Sequence, residues 1–327
     1  MFKFKKGTFH NIDFCKHFKK FFIFSASLIL IGIIATVIFG VKLDINFKGG
    51  TRITYSYSGN INFDDAAAAV QDTISVPVNV TKSTSFTGDS TKLVITLVED
   101  KSLSTESQTS ITTALQEKYP DNNIEFAEIN SVNASMGKSF FIKSLAAVAL
   151  AGVLVILYIS IRFRNIGGFS AGVSAFIALI HDILMAFLFC NILRIDIDSN
   201  FIAVVLTILG YSLNDTVVIY DRIRENKKLF SQLSTRELTN KSINETLGRS
   251  ITTAFATFLA ILTVGVVCEI AGLTSLRSFV IPMLIGGILS GSYSTICIAG
   301  PLWVLWSEYS EKRRAKKSFK KKNRKNA

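Results

Sequence analysis

The chain has 327 residues, 49% of them apolar, with a mean hydropathy of +0.39 and a net charge of +12. It is too apolar for an ordinary water-soluble protein and long enough for several membrane spans plus one small folded domain. Its four cysteines, Cys15, Cys190, Cys268 and Cys297, are scattered, so no disulfide framework or metal cluster is expected. The positive charge would suggest nucleic acid in a soluble chain, but its placement along this one is a topology signal instead, and no nucleic-acid partner is expected.

Residues 1–20 read as a basic start, with Lys3, Lys5, Lys6, Lys16, Lys19 and Lys20 and two solvated histidines, His10 and His17. Residues 21–41 are an uncharged run, too long for a signal h-region and without a small-residue cleavage site after it, so they read as a retained first span. Over 42–137 the composition turns to Ser, Thr, Asn, Asp and Lys with short β-branched runs. The pattern predicts strands over 51–58, 78–86, 92–99 and 124–132 and helices over 63–75 and 105–118, with Gly88-Asp89 as a hairpin turn. A βαββαβ order of that length predicts a ferredoxin-like α+β domain. It has no His or Cys, no phosphate loop and no grouped nucleophile, base and orienter, so an enzyme is not expected.

Residues 138–306 carry five further spans, with a charged loop over 221–249 in which Leu238, Ile243 and Leu247 predict an amphipathic helix. Spans two, three, five and six read as 140–161, 167–193, 251–271 and 279–306, and 307–327 as a disordered basic tail. Small and hydroxylated residues at four-residue spacing predict close helix packing, among them Gly168 and Gly172, Ser170 and Ser174, Thr253 and Thr257, and Gly287 and Gly291. Pro282 and Pro301 predict kinks, and Trp303 and Trp306 predict interface anchors.

Of the 36 Lys and Arg residues, 25 fall in the start, the turn after span two, the loop after span four and the tail. The positive-inside rule therefore puts both termini in the cytoplasm and the α+β domain outside, with anionic lipid as a partner for the basic tail.

The fourth span runs from FIAVVLTIL into GYSLNDTVVIYDRIREN, residues 210–226, and places Asn214 and Asp215 at membrane depth. A charged Asp costs about 2.5–3.5 kcal/mol at a helix centre, so this carboxylate must face protein or water, be paired, or carry a proton. Tyr211, Ser212 and Ile219 share its face, with Arg222 further on. Arg249 re-enters the membrane for span five just ahead of Thr253, within reach of Asp215 from a neighbouring helix. A carboxylate alternating between a cation and a proton is a two-state element that couples ion flow to movement. His181 and Asp182 form a second ionisable pair inside span three, either a functional site or a packed hydrogen-bonding pair.

Four blocks resemble the SecF family of the bacterial Sec protein-export machinery: LDINFKGGT at 43–51, ALIHDIL at 178–184, GYSLNDTVVIYDRIREN, and NETLGRSITTAFATFLAIL at 244–262. They occur in the family's order, and the resemblance covers nearly the whole chain except the tail. It implies a six-span unit similar to half of an RND transporter, a polytopic α-helical protein of the bacterial cytoplasmic membrane. It also implies work with SecD and the SecYEG channel on translocating unfolded polypeptide, driven by protons, with sodium as the alternative ion and no other cofactor. In that picture Asp215 matches the intramembrane acid and Arg249 its basic partner, with Asn214 and Thr253 beside them. The competing expectations are half of an RND-like exporter of small molecules or lipids, and a structural scaffold of the translocase without coupling.

Overall fold

The computed structural model describes residues 12–74, 76–84, 91–97, 104–271 and 276–325. Among them are six helices long and apolar enough to cross a membrane. The first, α1 (Phe18–Phe39), ends at Gly40, whose φ of +69° turns the chain out of the helix.

A single turn, α2 (Ile45–Lys48), then leads into a small domain of β1 (Gly50–Tyr57), α3 (Phe63–Ile74), β2 (Val78–Thr84), β3 (Thr91–Leu97), α4 (Thr105–Lys118) and β4 (Glu125–Val132). The strands pair antiparallel in the order β2-β3-β1-β4, the ferredoxin-like arrangement that the element order predicts. Thr51, Ile53, Tyr55 and Tyr57 of the inner strand β1 are buried while the residues between them are not, the period of two that a half-covered sheet requires. Ala66 and Val70 of α3 and Ile111 and Leu115 of α4 close the core against Ile53, Leu93, Ile95 and Leu97. Gly88-Asp89 lies outside the described residues.

No linker separates this domain from the membrane helices. β4 ends one residue before Asn133, whose side chain accepts from Ser135 N at 2.9 Å and caps α5 (Ala134–Arg162). At the other end of the domain Gly49, at φ +80°, lies so close to α5 that a Cβ would sit 2.4 Å from Ala134 Cα. Phe47 stacks on Phe140 and meets Phe141 edge-on, with ring centroids 5.7 and 5.3 Å apart. Both ends of the outer domain are therefore clamped to one helix.

The membrane bundle is built around α6 (Gly168–Ile192), which contacts α1, α5, α7 (Ser199–Leu229) and the sixth span. Small residues permit the approach: a Cβ on Gly168 would overlap Ser160 O at 2.0 Å, and one on Gly286 would meet Ala186 Cβ at 2.3 Å. By contrast α8 (Thr235–Ile270) leaves almost all of its membrane-embedded residues uncovered.

The structure departs from the sequence expectations in four places. The charged stretch 221–249 is not a loop with its own helix: α7 runs on to Leu229, α8 begins at Thr235 as one helix with the fifth span, and only a short turn joins them. Leu238, Ile243 and Leu247 are buried there against Tyr220 and Ile223 because both helices continue past the membrane as a packed pair. Trp303 is buried in the same cluster rather than anchoring an interface, leaving Trp306 partly exposed. The tail is helical: α11 continues from Gly300 to Lys325.

After Pro282 the sixth span does not simply kink. It passes from α9 (Arg277–Pro282) into a π-helical stretch, Met283–Ser290, a turn of α-helix, α10 (Gly291–Ser294), and a second π-helical stretch, Thr295–Ala299. π-Turns are rare and concentrate where side chains must be aimed rather than merely packed.

Substitution of Gly49 by alanine combines a left-handed backbone with a backbone overlap, an expected cost of about 1–3 kcal/mol. Limited proteolysis of the purified variant should cut the outer domain at least several-fold faster than wild type; equal rates would contradict the clamp.

Candidate functional site

Helix α7 starts beside the α+β domain and runs to Leu229. Asp198 caps its first turn, accepting from Phe201 N at 3.0 Å, and also receives Ser278 Oγ of α9 at 2.7 Å. Burial pushes the Asp198 carboxyl above the usual range, against the lowering by these donors. Further along α7, the side turned into the bundle carries Ser212, Asp215, Thr216, Ile219 and Tyr220, all buried.

Asp215 is 7% exposed and lies at the seam of α7 and α8, within electrostatic range of Arg249 and with Ser250 turned toward it. Arg249 makes no ion pair with it within 4 Å, while the Ser250 hydroxyl faces the carboxylate. Arg249 is exposed, Thr253 one turn on is half-buried, and Asn214 is exposed on the side of α7 away from the bundle. The structure thus brings Asp215 and Arg249 to one seam, with Thr253 a turn along it, and sends Asn214 outward.

Arg222 is not part of that stripe. It binds Glu245 at 2.7 Å and Glu225 at 3.0 Å, while Asn226 reaches Glu245 at 2.7 Å and Ser242 at 3.0 Å. These ties fix the inner ends of α7 and α8 against each other. α8 is started cleanly by a capping box in which Ser234 and Glu237 bond each other's backbone N–H.

Asp182 presents the opposite case. It is fully buried and its oxygens take hydroxyls from two other helices: Ser290 at 2.7 Å on Oδ1, and Ser212 and Ser294 at 2.8 Å each on Oδ2. His181 Nδ1 adds a contact to Oδ1 at 3.2 Å. Hydrogen bonds to a charged group stabilise by roughly 1.5–3 kcal/mol each, so three of them offset much of the cost of burying this carboxylate. Ser290 and Ser294, at i and i+4 on one face of the sixth span, carried the same four-residue spacing as the packing pairs, and nothing in that spacing singled them out as partners of Asp182.

A third cluster lies at the outer membrane edge. Asp44, 3% exposed, forms an ion pair with Arg52, which also approaches Asp196 at 3.9 Å. Backbone bonds run from Asp44 N to Ile197 O at 3.0 Å and from Ile197 N to Lys42 O at 2.8 Å. Arg194 in turn donates to the carbonyls of Phe39 and Gly40 at the end of α1. The turn between α6 and α7 is thereby stitched to the outer domain, to α1 and, through Asp198, to the sixth span. These residues escape a sequence search because each looks like an ordinary loop charge.

Six long apolar helices, one buried acid at a helix seam, a second clasped by hydroxyls, and an α+β domain bonded to the head of the acid-bearing helix define a multi-pass membrane protein with a polar domain. Comparison with known proteins agrees with that class. Residues 110–309 match the family described as protein export membrane protein SecD/SecF, C-terminal. The protein translocase subunit SecF of Alicyclobacillus acidocaldarius is 32% identical over 93% of this chain and 95% of its own length. SecF of Rhodothermus marinus is 33% identical over 89% and 92%. SecDF of Bacillus subtilis is 31% identical over 91% of this chain, which spans only 38% of that protein. The crystal structure of SecDF from Thermus thermophilus, a translocon-associated membrane protein, superposes with a TM-score of 0.77 at 26% identity, over 91% of this chain and 39% of that one. The chain belongs to the SecD/SecF family of protein export membrane proteins and aligns with SecF along nearly its whole length.

Replacing Arg52 by glutamine strips a buried carboxylate of its cation, a loss of about 1–3 kcal/mol once the arginine's partial exposure is allowed for. Amide exchange at Asp44 and Ile197 should then rise roughly tenfold or more while β3 amides stay unchanged. Unchanged exchange at both would show that the ion pair does not hold the joint.

Proposed function

We propose that this chain is a proton-coupled subunit of the Sec translocase of the bacterial cytoplasmic membrane, acting with a SecD-like second unit and the SecYEG channel to draw translocating polypeptide outward. The observation that carries this reading is Asp215: a carboxylate buried within a membrane helix, faced by Arg249 but not bonded to it. A proton reaching Asp215 removes its attraction for Arg249, and departure of the proton restores it. The membrane potential supplies about 2.3 kcal/mol per charge per 100 mV, enough to bias such an equilibrium by more than tenfold. Because the head of α7 is stitched to the outer domain, a shift of this helix moves that domain.

A second unit is supported by the outer side of α7. Ala203, Leu206, Thr207, Gly210 and Asn214 form an exposed stripe there, and a Cβ on Gly210 would meet nothing within 4 Å. An asparagine facing acyl chains is costly, whereas small and polar residues at this spacing suit a helix partner. The Bacillus and Thermus relatives carry the remaining length on the same chain, and both are named SecDF. The turns joining α6 to α7 and α8 to α9 are too short to hold a second outer domain, which weighs against half of a small-molecule exporter. Lysines and arginines at the chain's start, toward the C-terminal end of α7 and the N-terminal end of α8, and along α11 support a reading in which both termini are cytoplasmic and α11 meets anionic lipid.

Asp215→Asn keeps size and hydrogen bonding but removes the charge change. Export in cells relying on this variant should fall about tenfold or more while its level and its partners are retained; normal export would leave only a scaffold role. Asn214→Cys should cross-link to a co-purifying membrane subunit in native membranes, whereas exclusive reaction with lipid-soluble maleimide would remove the partner from that face.

A further inference from the structure

We propose that the cavity at the start of α6 binds the phosphate of an anionic phospholipid headgroup, drawn from the membrane leaflet beside it. The inference is independent of Asp215 and of the coupling ion. The cavity holds about 510 Å3, within the range of small-ligand sites, and four elements meet around it: the turn between α5 and α6, the end of α7, the start of α8, and α11.

Its charges are the first observation. Arg164 comes from the turn and Lys227 from α7. The neighbouring Arg162, Arg222 and Arg224 are each paired with an acid of the bundle. Among the described residues neither Arg164 nor Lys227 has an acid within 4 Å, and Lys227 Nζ instead donates to Asn165 O at 3.3 Å, which holds it over the turn. The backbone adds to these cations. Gly167, at φ +94°, turns the chain into α6 with no side-chain cap, and the first helical bond is made by Ala171 N, to Gly167 O at 3.1 Å. The N–H groups ahead of it have no acceptor inside the helix, and a helix start carries about half a positive charge, a setting that favours phosphate. Ser170 Oγ donates to Gly167 O at 2.7 Å and leaves those groups uncapped.

A further donor is Trp303. It is 3% exposed and lines the cavity, yet its Nε1–H has no hydrogen-bond partner. A buried indole N–H usually finds an acceptor. Its ring packs on Tyr220, with centroids 6.2 Å apart, inside an apolar cluster, so the cavity is the side from which an oxygen can reach it.

Glu311 decides which anion fits. Its carboxylate also lines the cavity and accepts Thr235 Oγ1 at 3.4 Å. Free phosphate would meet that charge directly, whereas phosphatidylglycerol brings a singly charged phosphodiester and glycerol hydroxyls that can donate to the carboxylate. Position favours a lipid as well. Phe169 and Trp306, each next in the chain to a serine of the cavity wall, are 65% and 36% exposed and meet edge-on with ring centroids 6.3 Å apart, an aromatic pair suited to the membrane boundary.

The test uses the chain's two tryptophans. Trp306→Phe leaves Trp303 as the sole indole of the full-length protein, and its emission is followed in dodecyl maltoside micelles during titration with dioctanoyl phosphatidylglycerol. The emission should change saturably, and Arg164→Gln together with Lys227→Gln should weaken the response about tenfold or more, through loss of two charge-assisted contacts. Arg162→Gln removes a nearby cation outside the cavity wall and should bind as the parent does. Glu311→Gln, which keeps every donor, should admit inorganic phosphate. No saturable change, equal weakening by Arg162→Gln, or no gain of phosphate binding in Glu311→Gln overturns the site. A parent response to inorganic phosphate or to dioctanoyl phosphatidylethanolamine equal to that with phosphatidylglycerol overturns the anionic lipid as its ligand.

Discussion

A carboxylate inside a bilayer has no water to hold it, and this requirement organises the membrane half of the molecule. Two acids meet it in different ways. Asp182 is surrounded by donors from three helices, which draws α6, α7 and the sixth span together at one point. Asp215 is covered but not ion-paired, and its counter-charge waits on the exposed helix α8. The first is a clasp; the second has a cation nearby with no ion pair formed. Helix α7 meets both acids, carrying Asp215 itself and reaching Asp182 of α6 through Ser212.

The consequences reach the outer domain because nothing soft intervenes. Asn133 passes β4 directly into α5, Gly49 and Phe47 pack on that same helix, and the turn before α7 is bonded to Asp44, Arg52 and the end of α1. The ferredoxin-like domain is thus joined to α5 and to the head of α7 without an intervening linker. At the inner side the Arg222, Asn226 and Glu245 network and the buried Leu238, Ile243 and Leu247 hold α7 and α8 as a pair. The seam carrying Asp215 is pinned at the end where α7 finishes and α8 begins.

Much of this was legible in the residues. The spans follow from uncharged runs, and the outer domain from its alternating strands and βαββαβ order. Asp215 stood out because an acid in an apolar helix is costly wherever it lies. Less legible was anything depending on which way a helix turns. Leu238 and its neighbours announced an amphipathic helix, but nothing in their spacing showed that it continues without a break into the fifth span. Trp303 has the composition of an interface anchor and the position of a core residue, because α11 is buried at that turn. Ser290 and Ser294 share a helix face at any helical period, but that this face meets Asp182 depends on how the sixth span packs on α6, where Gly286 lies against Ala186.

The central claim is that export force comes from protons moving past a buried acid. The most direct measurement is polypeptide release on the outer face of proteoliposomes holding this chain, its SecD-like partner and the channel, with an imposed proton gradient as the sole variable. The account predicts that release accelerates with the gradient and returns to baseline when an uncoupler collapses it. Release that proceeds at the same rate with and without the gradient would contradict it.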